Sequence, residues 1–291
     1  MLAADPFSST IPPRAPALTP LLAGLLSAAL PGGPYVLPAT LQPMVLAIVQ
    51  GEIRLAPVDS SLAAEDCPAL PTLGLSGATR GVRQAWAPPG TRIWVATVRT
   101  GQLPRLFGVS AQEVMEAFVP LDALAPPAWI AAWADALRGA ATPWAAGELL
   151  EAGLCEQAAR HAHRAPDLAL PPAWLTLPVT QLATHHQLSV RQFERQFQRG
   201  YGQSLRQFRQ QLRCSELLAE HLFGGASAAR RPWADIAADA DYFDQAHLSR
   251  DIRRFTGYSP AQLARQLAND DPALWPYRFN RQDARRVLGM L

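Results

Sequence analysis

The feature that most constrains this chain is a repeat. Phe193-x-Arg195-x-Phe197-x4-Gly202-x-Ser204 returns at one constant offset as Leu248-x-Arg250-x-Ile252-x4-Gly257-x-Ser259. Upstream, Leu182-Ala183 answers to Ile236-Ala237 and Ser189 to Asp244, with one extra residue in the turn of the second copy. Leu248, Ile252 and Phe255 fall at spacings of four and three, the period of one helix face. Ser189 and Asp244 are placed to accept unpaired first-turn amides as N-caps. Each copy therefore reads as two short helices about a tight turn, a helix-turn-helix unit. One such segment alone fits equally well an amphipathic pair packing into another core. The same polar and apolar positions occurring twice favour paired recognition of nucleic acid.

Between the copies, Leu205, Phe208, Leu212, Leu217 and Leu218 supply one apolar face of a helix over residues 204–223, with Gly224-Gly225 at its end. At ~1.5 Å per residue it spans about 30 Å. That is close to the ~34 Å between successive major-groove faces on one side of B-DNA. Residues 233–263 carry Asp244-Gln-Ala-His-Leu-Ser-Arg250, followed by Arg253-Arg-Phe-Thr-Gly-Tyr-Ser-Pro260. In these motifs and in its paired units, the segment resembles the DNA-binding domain of the AraC/XylS family of bacterial transcription regulators. The resemblance implies a sequence-specific regulator that sets two recognition helices in adjacent major grooves. It implies duplex DNA as partner, and leaves room for RNA polymerase, a small-molecule effector and a second copy of the chain.

Resemblance and helical phase point to the same DNA-facing positions: Arg191, Gln192, Glu194 and Arg195 in the first unit, and Gln245, Ala246, Ser249 and Arg250 in the second. Arg pairs bidentately with guanine, Gln with adenine, and Glu accepts from cytosine. Arg199, Arg253 and Arg254 are expected on phosphate, as are the helix N-termini at Ser189 and Asp244. For Arg195 and Arg250 the competing reading is an internal salt bridge, to a neighbour on the Glu194 side or to Asp251. His247 reads as structural or phosphate-facing, and His185 and His186 as exposed polar residues without metal-ligand partners. At the turns, Gln187 and Asp241 stand where a left-handed backbone is expected and Gly is the easier residue.

Composition adds limits. All 26 basic residues are Arg, so a side-chain cation on phosphate must be a guanidinium. A net charge of +2 is too small to announce a nucleic-acid partner on bulk electrostatics. Cys67, Cys155 and Cys214 lie far apart, with neither zinc spacing nor a disulfide framework, as expected of a cytoplasmic protein. Two other classes of function are considered: a chain that has lost DNA binding and works as an interaction partner, against which the intact Arg195 and Arg250 argue, and an enzyme fused to the same module, such as an alkyl-transfer repair protein of the Ada type. It needs a zinc-binding Cys cluster or an activated thiolate, and nothing beside Cys67-Pro68 supplies either. The reading is therefore no enzyme, no metal and no cofactor.

The fold class is α+β: a small β-rich domain with helices, then an all-α domain with two helix-turn-helix units joined by a long helix. Residues 1–20 read as a flexible lead-in. The apolar run over residues 21–30 is too short for a bilayer and reads as a core helix. Residues 35–100 carry short apolar runs between Pro and Gly pairs, as strands do. Ser110-Ala-Gln-Glu113 reads as a capping box opening a helix through Phe118. Helices are expected over 129–137 and 146–164. This order is similar to an N-terminal domain often found ahead of AraC-type helix-turn-helix pairs, which senses a ligand, dimerises, or both. Tyr35, Trp86, Arg92, Trp94 and Arg99 are the residues offered for a pocket, against a plain core or surface role. The domain thus runs over 21–165, a Pro-rich linker over 166–172, the DNA-binding domain over 173–269 and a tail over 270–291.

Overall fold

The computed structural model describes residues 11–58, 60–221, 242–269 and 271–277. The expected first helix of the second unit, around Ile236-Ala237, lies outside them, as do Asp241, Gly224-Gly225 and residues 278–291.

The N-terminal half is built on two antiparallel sheets. The strands are β1 (Leu22–Ala29), β2 (Gly33–Leu37), β3 (Met44–Gln50), β4 (Arg54–Leu55), β5 (Leu73–Ser76), β6 (Arg83–Ala87), β7 (Arg92–Val98) and β8 (Phe118–Pro120). One sheet has the order β1-β7-β3-β5-β8 and the other β2-β6-β4. Helices α1 (Leu103–Phe107), α2 (Pro127–Arg138) and α3 (Pro143–Arg160) join the five-stranded sheet in the main core, where Leu22, Val45, Leu106, Leu121, Leu150 and Leu154 are fully buried. A second cluster joins the two sheets through Tyr35, Ile48, Ile53, Ala85 and Ile93.

Three expectations for this half are corrected. Residues 21–30 form β1 and not a helix, paired along its length with β7 through Leu26 opposite Val95 and Ala28 opposite Ile93. A run apolar at nearly every position has no period to choose between helix and strand. Residues 11–20 are not a free lead-in either. Ile11 bridges to Leu25, and Leu18 is fully buried after a single turn over Pro16–Leu18. Ser110 and Glu113 do meet, with the Glu113 carboxylate accepting the Ser110 amide at 2.7 Å, but a helix does not follow. Turns occupy the segment, Glu116 takes a left-handed φ of 58° and β8 begins at Phe118. The expected strands and the helices α2 and α3 are present.

The C-terminal half contains α4 (Val179–His185), α5 (Val190–Tyr201), α6 (Leu205–His221), α7 (Gln245–Thr256) and α8 (Pro260–Ala268). Phe193, Phe197, Tyr201 and Phe208 form an aromatic core for the first unit, with Phe197 stacked on Tyr201 at 3.9 Å. Leu248, Ile252 and Phe255 pack with Cys214, Leu217 and Leu218 of α6 in the second. Gln187 adopts the expected left-handed backbone, φ 56°.

The halves are joined by more than the linker. Leu41 belongs to the core of the first unit and Ala39 to that of the second, so the strap between β2 and β3 reaches both. The Ala39 amide donates to the Phe255 carbonyl at 2.9 Å, and Gln211 Nε2 of α6 donates to the Thr79 carbonyl at 3.0 Å. The linker is pinned: Asp167 pairs with Arg199 at 2.8 Å, and the Leu170 amide donates to the Tyr201 hydroxyl at 2.7 Å. The tail docks too. Trp275 is buried in the cluster between the sheets, edge-on to Tyr35 at 6.0 Å.

Burial pushes the Tyr201 phenol up from 10.0 to about 12, against the smaller lowering from its Leu170 hydrogen bond. A phenol whose folded value is raised contributes stability that is complete below its unfolded pKa and is lost as pH rises through the folded one. Stability of the first unit should therefore fall between pH 10 and 12, by roughly 2–3 kcal/mol for this group. Chemical denaturation across that range should show a shallower decline in Tyr201→Phe than in the wild type. Parallel profiles would remove Tyr201 from the cause.

Candidate nucleic-acid interface

The two recognition helices are fixed at their ends by matched devices. At α5 the Ser189 hydroxyl accepts the Gln192 amide at 3.3 Å, and Gln192 Oε1 accepts the Ser189 amide at 2.9 Å. This reciprocal capping box satisfies two otherwise unpaired donors. At α7, Asp244 Oδ1 accepts the His247 amide at 2.6 Å. Both helices end on a left-handed glycine, Gly202 with φ 75° and Gly257 with φ 80°. The helix after each opens on another Ser-x-x-Gln box, Ser204 with Gln207 and Ser259 with Gln262. The repeat thus extends into the caps of α6 and α8.

Helical phase then divides the side chains. Phe193, Phe197, Leu248 and Ile252 are fully buried. Arg191, Gln192, Glu194 and Arg195 are exposed on α5; Gln245, Ala246 and Arg250 are exposed on α7, with Ser249 half-buried. Among the described residues neither Arg195 nor Arg250 has an ion-pair partner. The internal salt bridge weighed for Arg250 is absent because Asp251 turns inward. Asp251 is 5% exposed and both its oxygens accept from Gln210 Nε2 of α6, at 2.8 and 3.0 Å. This clamp between the connecting helix and α7 escapes a sequence reading, since an acid beside an Arg on a polar helix looks like a surface pair.

Other expected contacts are engaged elsewhere. Gln192 spends its carbonyl oxygen on the cap, leaving its amide NH2 for a base. Arg199, expected on phosphate, donates to Asp167 and ties α5 to the linker while its side chain stays exposed. Arg253 and Arg254 are exposed, with the Arg254 guanidinium 5.5 Å from the Phe255 ring centre. His247 lies edge-on to Tyr242 at 5.1 Å and 4.0 Å from Asp251, a structural position. His185 is exposed and stacks on Trp174 at 4.7 Å; His186 is half-buried near Phe193. Phe243, 94% exposed immediately before the α7 cap, was not singled out in the sequence. An aromatic residue adjoining an N-cap was the available signal.

The residues offered for a pocket separate. Tyr35 lines a cavity of about 170 Å³ between the sheets and the C-terminal half, and the other four do not. Trp94 packs on α3 and donates to the Pro143 carbonyl at 2.9 Å, Trp86 lies 5.6 Å from the Arg54 guanidinium, Arg92 is exposed, and Arg99 donates to the Thr19 carbonyl. The residue that sequence reading missed is Arg83. The alternation of β6 places it on the inner face with Ala85 and Ala87, and it lines the cavity. Burial pushes the thiols of Cys155 and Cys214 up, opposite to the activation a thiolate nucleophile needs. No described helix is long and apolar enough to cross a membrane.

Residues 182–266 match a family model described as a helix-turn-helix domain. A search of curated proteins finds no match. Among solved structures, the chain is similar to ToxT from Vibrio cholerae in a 1.65 Å form, with 10% identity, a TM-score of 0.42, and coverage of 82% of this chain and 96% of that one. It is similar also to wild-type ToxT bound to an unsaturated fatty acid, with 8% identity, a TM-score of 0.43, and coverage of 82% and 93%.

Proposed function

Residues 182–266 being a helix-turn-helix domain of the AraC type, we propose that this chain is a sequence-specific DNA-binding transcription regulator acting in the bacterial cytoplasm. One observation carries the reading: matched positions on two capped helices, Arg195 and Arg250, project unpaired guanidinium groups from otherwise well-packed units. Among the described residues, α6 runs Leu205–His221, about 26 Å at 1.5 Å per residue. That length suits a strut holding α5 and α7 in successive major grooves. Arg195 and Arg250 read guanine edges, Gln245 reads adenine, Glu194 accepts from cytosine, and Arg191, Ser249, Arg253 and Arg254 contact bases or backbone nearby. Ala246 suits a thymine methyl. The N-terminal half serves an effector or a second copy of the chain, and RNA polymerase is the partner through which occupancy changes transcription.

Selection of bound sequences from a random duplex pool tests this with the full chain at fixed salt. Two short enriched elements about one helical turn apart are expected. A single element, or enrichment without fixed spacing, would sink the paired-groove reading.

A further inference from the structure

The second copy of the repeat carries an extra residue in its turn, and a large apolar side chain comes out on the surface there. Leu182 and Ser189 stand seven residues apart, whereas their counterparts Ile236 and Asp244 stand eight apart. In the first unit the residue before the N-cap, Leu188, packs against the core that holds Phe193. This is a hydrophobic staple, which ties the residue before the cap to the fourth of the helix. In the second unit Tyr242 takes that part from two residues before the cap: it is 7% exposed and packs in one cluster with Leu248. Phe243, between Tyr242 and the Asp244 cap, is left 94% exposed.

Singly exposed apolar residues are ordinary on protein surfaces. Position sets this one apart. Among the described residues four large apolar side chains are exposed: Leu62, Trp144, Val190 and Phe243. Leu62 lies in the connection between β4 and β5, and Trp144 carries the Arg14 guanidinium 3.1 Å from its ring centre. Val190 opens α5 and Phe243 adjoins the cap of α7. These last two sit at the entry corners of the recognition helices, the ends that meet base edges in a helix-turn-helix. Phosphate is a poor neighbour for the α7 corner. Asp244 adds an exposed carboxylate there, and one of its oxygens already accepts the His247 amide at 2.6 Å.

We propose that Phe243 is a specificity-determining residue that reads a thymine, its ring against the 5-methyl group in the major groove at the edge of the second element. This contact rests on the DNA-binding function proposed above and deepens it. The thymine methyl is the one apolar group that a base edge presents in the major groove. A phenyl ring has no donor or acceptor for the other edges, so it discriminates by burial alone. Ala246, three residues on and exposed, extends the apolar edge, while Gln245 and Arg250 carry the hydrogen bonds. The first unit has no equivalent ring, since Leu188 is packed inward, so loss of Phe243 should touch the second element alone.

Fluorescence anisotropy with the full chain and the selected duplex, at fixed salt, tests the contact. Each thymine of the second element is replaced in turn by deoxyuridine, which lacks only the methyl. At one thymine the wild type is expected to lose about threefold to fivefold in affinity, the worth of one buried methyl. Phe243→Ala should bind the thymine duplex about threefold to tenfold less tightly, as the burial of half the ring is worth. It should then bind the thymine and uracil duplexes equally at that position. Phe243→Leu, apolar and smaller, should recover part of both effects. Neither variant should move the melting temperature, because the ring lies outside the cores. A wild type indifferent to uracil at every position would overturn the assignment and leave specific DNA binding standing. So would a Phe243→Ala that keeps the full sensitivity, which would pass the methyl to Ala246, or one that binds the thymine duplex as tightly as the wild type. A wild type that binds no duplex would overturn the assignment together with the DNA-binding function.

Discussion

Arg195→Ala together with Arg250→Ala should lose specific DNA binding while the protein melts at its usual temperature. Each guanidinium, if it reads a guanine bidentately, contributes about 1–3 kcal/mol of discrimination. The two sit on different helices and share no partner among the described residues, so their effects should add. The sum, about 2–6 kcal/mol, is a loss of roughly 30-fold to 20,000-fold in affinity for the selected sequence. Both side chains are exposed and outside the cores, so stability should stay within about 0.5 kcal/mol. Fluorescence anisotropy on the selected duplex and on a scrambled one, at equal salt, measures the difference. Binding to the scrambled duplex should fall far less, since phosphate contacts carry it. Unchanged specific affinity in a folded double variant would dismiss these two residues as readers.

Phe197→Ala should instead lose DNA binding by loosening the first unit. Its ring is fully buried, stacked on Tyr201 at 3.9 Å and edge-on to Phe208 at 5.9 Å. Removing such a ring costs about 3–5 kcal/mol. Against a total stability of about 5–15 kcal/mol this is a large fraction. For a body of this size the melting temperature should drop by roughly 6–20 °C. Specific and nonspecific DNA binding should then weaken together near the new midpoint, the reverse of the arginine pair. A melting curve that does not move would contradict the packing described for the first unit.

The difference between these variants shows what the sequence could and could not reveal. The repeat is legible because buried and exposed positions on a helix recur at 3.6 residues, and because Gly and Ser mark its ends by conformation and capping. Hence Phe193 and Arg195 could be assigned to opposite faces, and Gln187 to a left-handed turn, before any coordinates. The strand over residues 22–29 was illegible for the converse reason: an almost wholly apolar run suits any buried element, and only pairing with β7 decides. Ser110 and Glu113 form the contact their spacing suggests, yet the chain turns at Glu116, whose backbone is held by the Ala78 carbonyl. Arg83 was missed because its meaning is long-range. It lies on a short strand whose inner face becomes a cavity wall only when α6, α7 and Trp275 close over it. The partners of Asp251 and Arg199 were equally out of reach, since Gln210 and Asp167 are distant in the chain.

The strap between β2 and β3 bears on how such proteins diversify. A helix-turn-helix half behind a Pro-rich linker invites the idea of a reading head exchanged by recombination at that joint. Here Ala39 and Leu41 complete the cores of the two helix-turn-helix units from the opposite side of that joint, and Trp275 returns the debt by completing the N-terminal half. A crossover within residues 166–172 would give each product a reading head missing two plugs and a sheet pair missing its tryptophan. Successful exchange would have to carry the strap and the tail along with the head, so these halves are expected to diverge as one lineage.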